Sequence, residues 1–253
     1  REARSDEQLP RLPSAVFEDA GHAILRSHGK GELAAALTFG PYGGFHGHFD
    51  KLSFVLYGFG RELGVDPGRA RSQAYRLPIH RNWYKATISH NAVLVDRQSQ
   101  KPAAGKLLLF ERNADHTVVG AQCEEAYPGV EHTRWCVLTG PYLLVVDRLR
   151  SDAVHRMDWL YHNRGGQVIC DVAQDSVDPA QAYPGGEYIR NARQGTTDEM
   201  VRVRFEDAGL TTVLSVAAEE GTRVVVGEGV GASVADRVPM AMIGREGREV
   251  YFA

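Results

Sequence analysis

Hydrophobic and polar residues alternate along most of this chain with a period of two. Residues 52–57 put Leu52, Phe54 and Leu56 on one face and Ser53, Val55 and Tyr57 on the other, which predicts a strand. Gly58 and Gly60 mark a turn, and Leu63 and Val65 predict a short return strand that ends on the turn signal Asp66-Pro67-Gly68. Similar short segments, rich in β-branched residues and separated by turn formers, recur over 23–26, 33–39, 87–96, 106–111, 117–122, 133–139 and 142–148, then over 168–172, 200–205, 211–217, 222–226, 238–243 and 249–252. Helix competes over 32–37, where Ala and Leu favour it, but Gly40-Pro41 cannot continue one, and strand is preferred. Residues 175–197, rich in Pro, Gly, Asp and Gln, predict a long loop or a boundary. The rhythm as a whole predicts an all-β fold, a large antiparallel two-sheet β-sandwich.

Composition narrows the function classes. A chain of 253 residues that is 43% hydrophobic can bury a sizeable core, and all-β folds of this length often form one domain. The net charge of −3 gives no global basic field, so nucleic acid is not an expected partner and a polyanion would have to be held by local arginines. No apolar run approaches the ~20 residues of a membrane span, so no membrane partner is expected. Cys123, Cys136 and Cys170 are odd in number and lack C-x-x-C spacing, which favours buried free thiols over a disulfide framework or a cysteine metal site.

The candidate chemistry centres on Gly43-Gly44-Phe45-His46-Gly47-His48-Phe49-Asp50. Two histidines flanking one glycine project from nearly the same point, and the strand behind them holds that backbone still. If 52–65 is an antiparallel hairpin, the start of its first strand and the end of its second lie side by side, which brings His48 level with Asp66. The strand expected over 87–96 carries His90 at its entrance. His48, Asp66 and His90 therefore form a candidate trio of two imidazoles and a carboxylate, a set suited to a divalent ion such as zinc, with a fourth ligand unassigned.

At these residues the chain resembles a known family. His46-Gly47-His48-Phe49-Asp50-Lys51-Leu52-Ser53-Phe54, Val65-Asp66-Pro67-Gly68, Trp83-Tyr84-Lys85-Ala86-Thr87 and Ser89-His90-Asn91-Ala92-Val93-Leu94-Val95-Asp96 closely resemble the β-sandwich half of the heparinase II/III-like polysaccharide lyases, most of all the oligoalginate lyases and exo-acting relatives. Tyr127-Pro128-Gly129-Val130-Glu131-His132-Thr133-Arg134 and the run from His155 to Gly165 fit the same pattern. The resemblance divides the chain into a linker over 1–10, the core over 11–165 with the site motifs, and a region over 166–253 that either continues the sheets or forms a small β domain.

What the resemblance implies is a lyase that cleaves beside a uronic acid by β-elimination, with alginate favoured and heparin or heparan sulfate next. It implies His46 as carboxylate neutraliser or proton shuttle and Tyr75 as the proton-transfer tyrosine. Tyr75 would need cationic neighbours to act near neutral pH, for which Arg76, Arg81 and Lys85 are candidates. Tyr84 and Arg81 are assigned weaker substrate-binding roles, and the zinc is expected to be structural. An α/α-toroid precedes the sandwich in that family and carries a further histidine and tyrosine, so the chain reads as the carboxyl-terminal part of a longer protein. The expected partners are an acidic polysaccharide and that upstream toroid, with a homodimer as the one self-assembly allowed for. The expected setting is a bacterial periplasm in preference to the cytoplasm.

Other classes stay open on the residues alone. An H-x-H pair in an all-β chain also suits a cupin-like oxygenase, in which two histidines and a carboxylate leave open positions on iron. A noncatalytic carbohydrate-binding module fits a sandwich without its helical partner. Generic zinc hydrolysis is weakened by the lack of a general-base carboxylate beside the trio. Trp159, His162 and Arg164 border the same motifs but are equally at home as packing residues and are given no role.

Overall fold

A computed structural model describes residues 12–27, 32–69 and 76–253. The first layer is a five-stranded antiparallel sheet in chain order: β1 (Ala15–Phe17), β2 (His22–Arg26), β3 (Ala34–Thr38), β4 (Phe54–Gly58) and β5 (Arg61–Gly64). Its alternation is the reason it forms. Ala23, Leu25, Ala35, Leu37 and Phe54 point into the core, while the residues between them face outward. Strand, not helix, is thus the outcome after Glu32, and the expected hairpin over 52–65 is present.

The second layer is a nine-stranded sheet. It contains β6 (Val93–Val95), β7 (Lys106–Arg112), β8 (His116–Tyr127), β9 (Val130–Thr139), β10 (Leu143–His162), β12 (Asp175–Ser176), β13 (Arg190–Thr197), β16 (Thr222–Val230) and β17 (Arg237–Phe252). The order is β12-β13-β16-β17-β10-β9-β8-β7, with β6 paired to β10. A three-stranded sheet of β11 (Gln167–Ile169), β14 (Val201–Asp207) and β15 (Leu210–Val216) packs on the same face of this layer as the five-stranded sheet. The antiparallel sandwich expected from the alternation is what forms.

Several elements differ from the expected ones for identifiable reasons. The strand expected over 87–96 is reduced to β6, because Thr87–Ser89 is a 3-10 turn whose Ser89 Oγ donates to Trp83 O at 2.8 Å. Residues 142–148 are only the first third of β10, which runs on through a bulge between Arg150 and His155. The segments 238–243 and 249–252 are one strand, β17. The segment 175–197 is not one long loop, since it contains β12, β13 and short 3-10 turns at Pro179–Gln181 and Gly186–Tyr188.

Two cores result, one on each face of the nine-stranded sheet. The larger lies between the layers and takes Leu149, Met157, Trp159 and Tyr161 from β10. The smaller lies on the outer face, where Leu160, Met240, Met242 and Val225 meet Ile79, Trp83, Tyr84, Ile88, Leu94, Tyr183 and Ile189. Central strands are buried on both faces here, which explains the unbroken apolar runs Val224-Val225-Val226 and Met240-Ala241-Met242-Ile243. All three cysteines are free and buried.

Candidate active site and metal centre

The loop before β4 presents the two motif histidines. Gly44 (φ +63°) opens a 3-10 turn at Gly44–His46 that Gly47 N closes on Gly44 O at 3.0 Å. Gly47 has to be glycine, because a Cβ there would lie 2.6 Å from Gly43 N. The rings of Tyr42 and Phe49 stack across the neck of the loop, 5.5 Å apart and nearly parallel. Lys85 locks that neck: its Nζ donates to Tyr42 Oη at 3.2 Å and to Phe45 O at 3.1 Å, and lies within 6 Å of both ring centroids. Backbone closes the join, with Phe49 N donating to Lys85 O at 2.9 Å and Thr87 Oγ1 to Phe49 O at 2.6 Å.

The same region brings His48, Asp66 and His90 together. Val65 N donates to His162 O at 2.9 Å, which ties the end of the hairpin to the end of β10 and sets Asp66 beside the histidines. Asp66 Oδ2 lies 2.6 Å from His90 Nδ1, while Asp66 Oδ1 accepts from Gly68 N at 2.7 Å. The rings of His48 and His90 are 5.3 Å apart. Asp50 joins them, since donor atoms of His48, Asp50 and His90 lie within 4.8 Å of one another. Burial would raise the Asp66 carboxyl, but the charge and hydrogen bond of His90 outweigh it and hold the group down at about 2. Burial works to lower His90, and Asp66 outweighs it and raises the group; His48 is lowered by burial and by His90.

Two imidazoles and the Asp50 carboxylate around one point, with Asp66 bonded to His90 Nδ1 beside them, are a donor set that fits a divalent ion, and His90 Nε2 is buried with no hydrogen-bond partner among the described residues. Behind them stands His162, also buried, its Nε2 likewise without a partner. Burial first, and then the neighbouring His90, push its imidazole down to about 3, so it is neutral. Asn91 holds this assembly in register. Its Nδ2 donates to Phe54 O and Val65 O at 2.9 and 3.2 Å, and its Oδ1 accepts from His162 N at 2.7 Å.

His46 is exposed and edge-on to Phe45, at the wall of a cleft of about 440 Å³ lined by Phe45, His46, His48, Arg69, His80 and Lys85. Two permanent cations and three imidazoles line it, and no carboxylate does among the described residues. One π-helical turn, His80–Tyr84, delivers His80 to the cleft and turns Trp83 and Tyr84 inward. His80 is lowered by burial and by the cations Lys85 and Arg69, which keeps it neutral near pH 7.

The sequence-predicted residues therefore divide. His46, His48, Asp66 and His90 converge. Tyr75 lies outside the described residues. Tyr84 is only 1% exposed, packed in the smaller core beside Trp83, and so has no face to offer a sugar. Arg81 is exposed and turns its Nε to Asn82 Oδ1 at 3.1 Å, away from the lining of the cleft. Asp50, His80, Arg69 and Asn91 were missed as site residues, and Lys85 was expected only as a cationic neighbour of Tyr75. Only Asp50 carried a signal, as the third member of the alternating His46-x-His48-x-Asp50.

An antiparallel β-sandwich with a histidine-rich cationic cleft is thus the class that fold and site define. The family model "Heparinase II/III-like, C-terminal" matches residues 9–233, and the chain belongs to that family. It is 32% identical to an alginate lyase of Stenotrophomonas maltophilia over 166 residues (57% of this chain, 22% of that protein) and 31% identical to an exo-oligoalginate lyase of Saccharophagus degradans over 170 residues (58% and 23%). A heparin-sulfate lyase of Pedobacter heparinus is 27% identical over 149 residues, covering 58% of this chain and 22% of that protein. The chain spans under a quarter of the length of these relatives. Among solved structures, the fold is shared with a heparan sulfate lyase from Pedobacter heparinus, with a TM-score of 0.71 and 20% identity over 96% of this chain and 36% of that one.

Proposed function

We propose that this chain is the β-sandwich part of a lyase that cleaves uronate-containing polysaccharide by β-elimination, with alginate as the favoured substrate and heparin or heparan sulfate next. The observation that carries the reading is the cleft: an exposed histidine set among the cations Arg69 and Lys85, with no carboxylate among the described residues of its wall. In the reaction the C5 proton leaves to a base, the electron pair forms the C4–C5 double bond, the C4–O bond breaks, and the departing oxygen takes a proton. Charge on the uronate carboxylate must be offset for the C5 proton to become acidic. His46, which lines the cleft, would contact that carboxylate, with Arg69 and Lys85 contributing positive charge, and Tyr75 is the proposed proton-transfer group.

His48, Asp66 and His90 would hold a divalent ion, zinc by donor chemistry, and Asp50 offers the fourth ligand. Bound there, the ion would supply a rigid anchor for the loop that presents His46. An upstream helical toroid would supply the remaining catalytic groups.

The test is ultraviolet absorbance during incubation of the full-length protein with alginate, heparin and heparan sulfate, because elimination leaves an absorbing unsaturated uronate and hydrolysis does not. A rise with alginate that His46→Ala abolishes is the expected result. No rise with any polymer from folded, metal-loaded protein would overturn the lyase reading and leave a binding module or an oxygenase.

A further inference from the structure

A second polar cluster lies at the other end of the smaller core. Asp158 and His162 project to the same face of β10, and four residues at ~3.3 Å each place them about 13 Å apart. Asp158 is fully buried; it accepts from Arg223 Nη2, from Arg156 Nε at 3.3 Å and from Tyr183 Oη at 3.1 Å. Tyr183 Oη in turn accepts from Arg156 Nη2 at 2.9 Å and Arg223 Nη2 at 2.5 Å. The guanidinium carbons of Arg97, Arg156 and Arg223 lie 5.8, 5.9 and 5.8 Å from the centroid of the Tyr183 ring. Three cations crowd one ring, and one carboxylate stands among them.

Arg97 is the unexplained member. Among the described residues it has no close ion-pair partner, and its Nε is buried with no hydrogen-bond partner. Its backbone is left-handed (φ +64°), as is that of Asp96 (φ +49°), in a two-residue turn that Gln98 N closes on Val95 O at 2.9 Å. Such turns favour Asn-Gly, and an arginine in that conformation is strained. The turn is nevertheless pinned. Asp96 N donates to Arg156 O at 2.8 Å, and the Asp96 carboxylate takes Arg156 N at 3.0 Å and His155 Nδ1 at 2.7 Å. Arg97 thus combines a strained backbone and a buried, unpartnered Nε beside the Tyr183 ring, in a group where Asp158 alone offsets three guanidinium charges.

We infer that Arg97, Arg156 and Arg223 form a binding site for an oxyanion, a carboxylate or sulfate group, separate from the histidine cleft. The planar guanidinium forks suit such a group, and Tyr183 and Asp158 fix two of the three in place while Arg97 closes over it. The anion is either free sulfate or a group carried on an acidic sugar chain. The site stands whether or not the cleft performs β-elimination, since its test reads binding and not turnover.

Titration calorimetry with sodium sulfate, against sodium chloride at matched ionic strength, should show saturable binding. Arg97→Gly and Arg97→Gln should each weaken it at least tenfold. Because glycine takes the left-handed conformation freely, Arg97→Gly should not melt below the parent protein in anion-free buffer. Displacement of sulfate by an alginate oligosaccharide assigns the site to a sugar chain, and saturation by sulfate without displacement assigns it to the free ion; both uphold an oxyanion site. Absence of saturable binding to the parent, or unchanged affinity in the two Arg97 variants, overturns it.

Discussion

Strand β10 carries two buried aspartates, and their surroundings are opposite in kind. Asp147 is closed: Arg134 grips it with two bonds at 2.8 and 2.9 Å, His132 Nε2 lies 2.5 Å away, Trp159 Nε1 donates at 2.8 Å, and neither the aspartate nor the arginine touches solvent. His132 Nδ1 has no hydrogen-bond partner among the described residues and burial lowers the imidazole, so the neutral ring donates through Nε2 and the charges of Arg134 and Asp147 offset each other. Burial would raise Asp147, but Arg134 and then His132 overcome it and hold the carboxyl down at about 2. Asp158 is open: burial raises its carboxyl despite the arginines around it, and those arginines outnumber it three to one. A cluster whose charges balance is framework. A cluster with charge left over has something to bind.

The balanced cluster should be the harder to disturb. Arg134 Nη1 also donates to the carbonyls of Leu52 and Asn91, the residues that flank the histidine loop and the His90 turn. Arg134→Met leaves Asp147 buried without its counter-charge, at a cost of about 3–5 kcal/mol. Urea unfolding checks this, and a loss under 1 kcal/mol would mean that the network is ornamental to the fold.

Acid should find the same weakness. Asp147 titrates lower folded than unfolded, so its contribution is fully present above the ordinary carboxylate value of 3.8 and is lost as pH falls through about 2; this is roughly 2–3 kcal/mol. His132, lowered by burial, adds a loss that begins as pH falls below 6.5, because the unfolded chain gains that proton first. Urea midpoints from pH 7 to pH 3, with the ring nitrogen shifts of His132 followed by NMR, test both. Protonation of His132 near pH 6.5 in the folded protein would contradict the closed arrangement.

The cleft should separate anchoring from chemistry. His90→Ala and Asp66→Asn are expected to reduce bound zinc, measured by elemental analysis, and to lower the melting temperature, as chelation should in the parent. His46→Ala should keep the metal and the melting point while abolishing turnover. Gly47→Ala should cost about 1–3 kcal/mol by overpacking the turn and depress activity further than stability, since its Cβ meets Gly43 backbone inside the loop that aims His46.

Legibility in the sequence followed the same divide. The hairpin over 52–65 and the convergence of His48, Asp66 and His90 were readable because half-buried strands alternate and turn residues mark their ends. What escaped was decided by contacts distant in sequence. The segments 238–243 and 249–252 read as two strands, yet β17 runs through both, with Gly244 opposite Asp158, where a Cβ would lie 2.6 Å from the carboxylate oxygen. Tyr84 read equally as a sugar-stacking or a packing residue, and the π-helical turn decides for packing by pointing Trp83 and Tyr84 into the smaller core, with Trp83 Nε1 bonded to Val230 O at 2.8 Å. Lys85 enters the site only because the rings of Tyr42 and Phe49 stack beneath it, and no local pattern announces that.

The smallest expected effect sharpens the contrast most. Asp158→Asn keeps the shape of the open cluster and removes its only carboxylate. Arg156 and Arg223 retain 17% and 22% side-chain exposure, so water can take up part of what they lose, and the cost to stability should be about 1–2 kcal/mol, well below that of Arg134→Met. The same change adds one net positive charge beside the three guanidinium groups. Sulfate should therefore bind several-fold more tightly, and added sulfate should return part of the lost melting temperature by mass action. In the closed cluster no anion can do this, because Asp147 and Arg134 are sealed from solvent on every side. If sulfate restored Arg134→Met and left Asp158→Asn unchanged, the assignment of framework to one aspartate and binding to the other would have to be reversed.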